Sequence, residues 1–580
     1  MKIKSIEILN YRNINACNIA FNGDINYIIG ENNIGKSNLL VLLDTICNGR
    51  AFEEDDFENV EMPIEITLEI KLLPEEQGFF GDNFSPEDSS IIKLRYTQKI
   101  DEAYPTIVTF DTGETIQTRQ IKKLHFLKYD STVVPSKELR IDTQKGTGLL
   151  INSLIESFIK NDESGKSFLE STQIEGLKDY INEHLSKIRS FKNYSIKAAV
   201  SDKTDEILSR LFFLSDGERK IEHTGKGVQF IATATINILC QIMNVYKSKS
   251  VVFEEHLYTN SEGKKILPIV LSVDEPEVHL HPFLQRSLIR YYQHILQNKD
   301  NDFLDLIKMC FDIDGLDGQL IIVTHSTDAL IGNYKNLIRF YQNDGDTQVI
   351  SGKNLVIKDA NEKHLLMHFP DIKEAFYAKC VILIEGETEY GCIQSFAETL
   401  NISLDDSGIC VINACGEGSI KPLKYLLNAF AIPSIAIYDG DVKSGQTPND
   451  DEFFTSELCF EIEVVKHLYS LGNTSVIKEI VQDLYSNAEN EILDVDFVRK
   501  PFKKLGLDIA AYTSKKLSDI SEEDAEEFCN MYSSWYMVKK GVLLGRIIGQ
   551  TLSADQIPSC YVDAIRKAQE VSQNAWYRID

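Results

Sequence analysis

The chain has 580 residues, of which 43% are hydrophobic and 26% charged, and its formal net charge is −28. That length exceeds what one hydrophobic core supports and sets an expectation of about two to four domains. No apolar run reaches the roughly 18 residues of a membrane span, and 11 cysteines without a single C-x-x-C pair argue against a structural zinc site or a disulfide framework. A reducing cytoplasm fits that cysteine usage. The acidic balance counts against a broadly basic nucleic-acid surface, but it leaves room for a local stripe and for carboxylates that recruit Mg²⁺.

The opening MKIKSIEILNYRNI has no signal-peptide apolar core and reads as a first strand. Strands are also expected at ACNIAF and INYIIG, over 62–72, 91–97 and 105–110, because apolar and polar residues alternate there. Between INYIIG and the helical run NLLVLLDTIC, residues Gly30, Glu31, Asn32, Asn33, Ile34, Gly35, Lys36 and Ser37 fit G-x-x-x-x-G-K-[ST] in full. A strand before and a helix after are the context in which backbone N–H groups and a helix N-terminus cradle phosphates. Lys36 would reach the β- and γ-phosphates, and Ser37 would ligate Mg²⁺.

Residues 146–200 change character. LLINSLIESFIK and IEGLKDYINEHLSKIRSF have helical periodicity with Glu/Lys faces and predict an inserted helical element that serves dimerisation. The segment LFFLSDGERKIEH reads as a hairpin turning at Asp216-Gly217, followed by a strong helix, GVQFIATATINILCQIM. Buried strands ILPIVLSVDE and GQLIIVTHS flank the helix FLQRSLIRYYQHIL. Asp274 and Glu275 close the first of these strands, where Asp274 would hold Mg²⁺ through water and Glu275 would polarise the attacking water. His325 follows the second strand, in the place of a γ-phosphate sensor. Two runs compete for the signature motif that closes on a partner's nucleotide: Leu214 to Glu218 and Thr224 to Gln229. The second is favoured, because Gly225 and Gly227 lead directly into a long helix.

After about residue 365 strands and helices alternate: KCVILIE, TEYGCIQSFAETL, GICVINA, IKPLKYLLNAF and SIAIYD, then a mainly helical tail from about 452. This pattern predicts a parallel sheet. Glu385 and Asp439 each end a strand of it, one strand–helix–strand–helix unit apart, so both carboxylates fall at the C-terminal edge where such sheets bind ligands. Asp441 lies two residues on. Oxygen ligands of this kind suit Mg²⁺ or Mn²⁺, and a pair of such ions can drive phosphodiester hydrolysis. Arg499, Lys500, Lys503, Lys504, Lys515, Lys516, Lys539 and Lys540 form the best basic stripe, read equally well as solvated helix faces.

Tyr11-Arg12-Asn13, the glycine loop and Asp274-Glu-Pro-Glu-Val-His-Leu-His-Pro282 resemble the ABC ATPases of the RecF, SMC and OLD (overcoming lysogenization defect) group. Val381 to Glu389 and Tyr438-Asp439-Gly440-Asp441 resemble the glutamate and D-x-D motifs of a Toprim domain, which sets the OLD family apart. The likeness spans nearly the whole chain and is nearest to the Gabija-type and retron-associated OLD nucleases. It implies an α/β architecture: an ABC-type ATPase over 1–140 and 205–365, interrupted by the helical element over 141–204, then a Toprim domain with a helical C-terminal region over 366–580. It further implies that Glu389 and Glu461 join the metal ligands, with Glu457 or Glu463 in reserve because Cys459 stands where an aspartate is common. Lys540 is implied as the late catalytic lysine, while the Cys415 to Gly418 turn lacks the more usual lysine. The paired histidines near Pro282 are implied to be structural.

The function so implied is an ATP-regulated, metal-dependent DNA endonuclease in antiphage defence. It would use ATP and Mg²⁺ (or Mn²⁺) and act on DNA as a homodimer or higher even oligomer, away from membranes. A helicase-like subunit or a reverse transcriptase with its msDNA is the kind of partner implied. Topoisomerase or primase chemistry would also use Toprim, but no gate segment or nucleophile-bearing domain is evident. A RecF/SMC-type clamp or sensor without nuclease activity, or a Toprim ribonuclease, stands as the alternative.

Overall fold

The structure is a computed structural model. It describes residues 1–130 except 82 and 86, then 139, 146–151, 154, 171–193, 195–200, 212–216, 219–221, 224–248, 253–278, 280–343, 345–357, 362, 369–370, 372–442, 449–510 and 512–576. These form two compact units, Met1–Gln342 with Asp346–Asn354, and Leu355–Asp580. The division precedes the boundary expected at 365/366, which lies outside the described residues.

The first unit opens with β1 (Lys2–Leu9), β2 (Cys17–Ala20) and β3 (Ile25–Gly30). β3 is buried at all its positions and runs into α1 (Lys36–Cys47), whose Leu39, Leu40, Leu42, Leu43 and Ile46 face the core. Next come β4 (Ile64–Lys71), β5 (Ile91–Gln98), β6 (Thr106–Thr109) and β7 (His125–Asp130). The alternation in IEITLEIK puts Ile64, Ile66, Leu68 and Ile70 inward, as a strand with one wet face requires. These hairpin-linked strands give an antiparallel sheet in the order β2-β1-β4-β5-β6.

The remainder of the unit contributes α2 (Ser171–Leu185), β8 (Ile196–Val200), β9 (Phe212–Asp216), β10 (Arg219–Lys220), α3 (Lys226–Ser248), β11 (Tyr258–Thr259) and β12 (Lys265–Asp274). α4 (Pro282–Leu296), α5 (Asn301–Phe311), β13 (Gly315–Val323), β14 (Leu337–Asn343) and β15 (Asp346–Ser351) complete it. A second sheet has the order β11-β12-β13-β3-β14-β15, with β7 also on β12. Its β7, β12, β13, β3 and β14 are parallel neighbours, so their C-terminal ends share one edge. Among the described residues only α3 is long and apolar enough to cross a membrane. Because 69% of that window is buried within the protein, it reads as a core helix.

The stretch expected to be a purely helical insert requires correction. The stretch is helical through Leu185 and again over Arg189–Asn193, which includes Phe191, but it then supplies β8. β8 pairs with β9 and is locked to α2 by two Asn182 hydrogen bonds to the Ala198 backbone, at 2.9 and 2.6 Å. Local propensity does not mark IKAAV as a strand, since Ala and Lys are depleted in strands; its ladder with β9 makes it one. Most of LLINSLIESFIK lies outside the described residues.

The second unit contains β16 (Cys380–Ile384), α6 (Glu387–Thr399), β17 (Ile409–Asn413), α7 (Glu417–Ala429), β18 (Ser434–Tyr438) and β19 (Glu452–Phe454). Its sheet, β17-β16-β18-β19, is parallel throughout. The helical tail is α8 (Phe460–Ser470), α9 (Thr474–Leu484), α10 (Val495–Leu505), α11 (Ala525–Val538), α12 (Val542–Thr551) and α13 (Ser559–Trp576). α13 packs on β16, β18 and β19, while α12 lies along α6. Glycines set that last approach. A Cβ at Gly545 would stand 1.8 Å from the Thr388 carbonyl oxygen, and one at Gly391 would stand 2.3 Å from that of Val542.

Gly545→Val should therefore push α12 off α6, cost about 1–3 kcal/mol as other overpacked sites do, and lower the urea midpoint of this unit. Gly418→Ala, where a new Cβ meets nothing within 4 Å, serves as the control and should leave the midpoint unchanged or slightly raised.

Candidate nucleotide and metal sites

The glycine loop is shaped by its neighbours. Gly30 has φ +140, and a Cβ there would meet the Phe340 carbonyl oxygen at 2.3 Å, so only glycine fits beside β14. Gly35 has φ +102 and caps α1, leaving the first N–H groups of that helix directed into the loop. Asn33, at φ 60, is exposed with Asn32 and Ser37. Asn13 bridges the loop, donating to the Asn33 carbonyl at 3.2 Å and accepting from Asn38 Nδ2 at 2.8 Å. Arg12 braces the same corner through Asn38 and Asp56, each at 2.8 Å.

Lys36 is buried, with its ammonium on the carbonyl oxygens of Gly30 and Glu31. Burial pushes its pKa down to about 8, against the opposing pull of Glu275 and Asp274. A buried ammonium beside open helix N–H groups fits a polyphosphate. Asp274 ends β12 level with Val323 of β13. Glu275 follows in a left-handed conformation at φ 49, which a non-glycine residue adopts at an energetic cost. Its N–H is fixed on the Val323 carbonyl at 2.8 Å. This turn sets Glu275 Oε1 3.7 Å from His325 Nε2. Burial and then Lys36 lower the His325 pKa, keeping the ring neutral at pH 7.

Glu277 was not among the expected site residues. Its half-hidden carboxylate accepts from Thr324 Oγ1 at 2.8 Å and from the His325 N–H at 2.6 Å, tying the β12 turn to the β13 turn. The acidic pair in D-E-P-E was visible, but the 48-residue separation of Glu277 and His325 hid the contact. His281 caps α4 and stacks on Phe283, a structural role, whereas His279 lies outside the described residues. Of the two signature candidates, Leu214-Ser215-Asp216 sits in β9 of a hairpin, with Gly217 and Glu218 outside the described residues. Gly225 and Gly227 stand at the N-terminus of α3, where Gln229 Nε2 closes on the Thr224 carbonyl at 2.9 Å.

In the second unit Glu385 follows β16 and Asp439 follows β18, and these strands are direct neighbours. The two residues accordingly come together: the Asp439 backbone N–H donates to Glu385 Oε2 at 3.4 Å. A cavity of about 410 Å³ is lined by Glu385, Glu389, Asp439, Glu461, Cys415, Gly416 and Lys540, among others. Glu389 is fully buried one helical turn into α6, held by the Gly386 N–H at 2.8 Å and Tyr561 Oη at 2.5 Å. Glu461 accepts from Thr388 Oγ1 at 2.8 Å, and Thr388 Oγ1 in turn accepts from the Gly541 N–H at 3.1 Å, which anchors the Lys540 turn. Asp441 stands outside that lining, 3.2 Å from Lys504 Nζ.

Glu457 and Glu463 are committed elsewhere: Glu457 pairs with Lys466 at 2.7 Å, and Glu463 accepts the Glu457 N–H at 2.8 Å. Cys459 is buried at the N-cap of α8 and supplies no carboxylate. Gly440 permits the D-G-D turn, since a Cβ would lie 2.2 Å from the Glu457 carbonyl oxygen.

Burial, then repulsion from Glu389 and Glu385, pushes the Asp439 carboxyl up to about 8. Burial, then Glu461 and Glu385, raises Glu389 to about 7. Glu385 is raised by burial and by Asp441. Among the described residues no three acidic, histidine or cysteine side chains converge tightly enough to grip an ion as they stand. Glu385, Glu389, Asp439 and Glu461 ring the space instead. Four carboxylates around one cavity fit hard divalent cations by their chemistry.

A P-loop unit followed by a sheet edge of crowded carboxylates defines a nucleotide-hydrolysing protein with a second, metal-using centre. The description "Overcoming lysogenization defect protein-like, TOPRIM domain" matches residues 376–441, and "AAA ATPase domain" matches 1–250 and 82–330. The two matches of the latter together cover more than half of the sequence, and the chain belongs to the AAA ATPase domain family, with an OLD-like Toprim domain matched behind it. Such domains use nucleotide and divalent metal. Over 512 residues the chain is 23% identical to the Old nuclease of Escherichia phage P2, covering 79% of this chain and 80% of that one. It is 20% identical over 504 residues to endonuclease GajA of Bacillus cereus (strain HuB5-5), covering 73% and 71%. A shorter stretch, 187 residues at 25% identity, matches the OLD nuclease of Thermus scotoductus and covers 31% and 32%.

Two outcomes follow from this geometry. With folded pKa values raised above the unfolded ones, Asp439 and Glu389 bind more protons in the native state between about pH 4 and pH 8. Their contribution to stability is complete below that window and is lost as pH rises through it. Calorimetric melting without divalent ions should therefore drop from pH 5 to pH 8.5, and Asp439→Asn should flatten the slope. At the other site, Glu277→Ala should release the His325 backbone and cut ATP turnover on the order of tenfold, while Glu275→Gln should cut it about 10²–10⁴-fold as loss of a general base does. Both should retain nucleotide binding by equilibrium titration.

Proposed function

We propose that this chain is an ATP-regulated, divalent-metal-dependent DNA endonuclease that serves antiphage defence. The observation that carries the reading is the cavity where Glu385, Glu389, Asp439 and Glu461 face Lys540, in a chain that also holds a complete P-loop. Carboxylates alone would suit many metal enzymes. Set beside a lysine, in a pocket large enough for a phosphodiester, they suit hydrolysis of a polyanion.

In this reading Glu385, Glu389, Asp439, Asp441 and Glu461 would hold Mg²⁺ or Mn²⁺, which would supply positive charge to activate water and to stabilise the leaving oxygen. Lys540 meets the phosphate as negative charge builds on it. The backbone turn that carries it is fixed by Gly541 on Thr388. In the ATPase unit Gly30, Asn32, Asn33, Gly35 and Lys36 cradle the phosphates, and Ser37 and Asp274 hold Mg²⁺. Glu275 orients water and His325 senses the γ-phosphate, with Glu277 positioning His325. Gly225 and Gly227, at the N-terminus of α3, would meet the nucleotide of a second copy, which makes an even assembly part of the proposal.

The test is cleavage of supercoiled plasmid with Mg²⁺ or Mn²⁺, with and without ATP. Wild type should nick or linearise the plasmid only with metal, and Asp439→Ala should abolish this. Lys36→Ala should keep metal-dependent cleavage but lose its response to ATP. Cleavage that survives Asp439→Ala, or that needs no metal, would sink the assignment. Cleavage of RNA in preference to DNA would redirect the substrate.

A further inference from the structure

Of the eight basic residues in the late stripe, three are spent on local ion pairs. Arg499 pairs with Asp496 at 2.6 Å, Lys539 with Glu491 at 2.7 Å, and Lys515 with Glu527. Lys504 differs: its ammonium lies 3.2 Å from Asp441 Oδ2 and 3.9 Å from Asp439 Oδ2, against two carboxylates assigned above to metal binding. The helix that carries it is firmly seated. Asp494 caps α10 by accepting the Phe497 N–H at 2.8 Å, Val498 and Phe502 enter the core, and Gly506 stops the helix at φ 73. Lys500, one turn before Lys504, and Lys503, its immediate neighbour, are both exposed on the side away from that core. Lys500 and Lys504 are therefore about 6 Å apart along the axis, close to the roughly 7 Å axial rise of two nucleotides in one strand. In a chain of net charge −28, this is a local positive ridge that starts at the acidic site.

We propose that α10 is a phosphate track and that Lys504 is its exchange point. With no metal bound, Lys504 neutralises the Asp439–Asp441 pair. When divalent ions occupy that pair Lys504 is displaced and takes a phosphate of the nucleic-acid strand, continuing the line of Lys503 and Lys500. This rests on the nuclease reading above. It makes Lys504 a positioning residue that couples metal loading to strand binding.

Mn²⁺ binding to the full chain without DNA, followed by electron paramagnetic resonance, tests the exchange directly. Lys504→Ala removes a competing charge and should tighten Mn²⁺ on the order of tenfold, whereas Lys504→Arg keeps the charge and should stay near wild type. The track is tested by the salt dependence of DNA binding: Lys500→Ala with Lys503→Ala should reduce the log–log slope by about 2, roughly one per lysine. Unchanged Mn²⁺ affinity in Lys504→Ala overturns the exchange, and an unchanged slope overturns the track. Tightened Mn²⁺ binding in a protein that cleaves no plasmid would uphold the ion exchange and strike instead at the nuclease reading.

Discussion

Repulsion among carboxylates gathered at one edge of a parallel sheet governs the second unit. Parallel strands end on the same side, so the residues after β16 and β18 cannot avoid each other, and Glu385 comes within reach of the Asp439 backbone. Burying several such groups together costs free energy unless each charge is matched. The chain offsets this with donors drawn from distant elements. Phe460 N–H reaches Asp439 at 3.2 Å from the start of α8, Tyr561 reaches Glu389 from α13, and Lys504 reaches Asp441 from α10. The helical tail thereby completes the site as well as covering the sheet. Burial and crowding together raise the Glu389 and Asp439 carboxyl pKa values.

The lysine opposite those carboxylates depends on shape. Lys540 precedes α12, and α12 can lie on α6 only because Gly391, Gly545 and Gly549 remove the side chains that would otherwise meet backbone. The same approach lets Gly541 donate to Thr388, whose hydroxyl donates to Glu461. One chain of contacts thus joins a helix crossing, an acid and a base. A packing change at the crossing is transmitted to the chemistry without touching a charged residue.

The ATPase unit uses strand ends in a comparable way but adds strain. Glu275 is held at positive φ between a ladder hydrogen bond and the following proline, and Glu277 then clamps the turn after β13. Glu275 and His325 are consequently set by two turns linked to each other. Glu277 thereby ties the position of one turn to that of the other.

What the sequence made legible was local. The glycine loop, Asp274-Glu275, Glu385 and Asp439 each sit at a strand end with a recognisable neighbour, so spacing along the chain was enough to place them. Glu277, Thr388, Lys504 and Tyr561 were hidden for the opposite reason: each acts on a residue 48 or more positions away. The β8 strand was missed because charged residues at helical spacing ran up to it, and only pairing with β9 decides the matter. Motifs mark where charge must gather. The tolerance of that charge is written in contacts between elements, so the residues that tune a site of this kind are the ones a linear reading finds last.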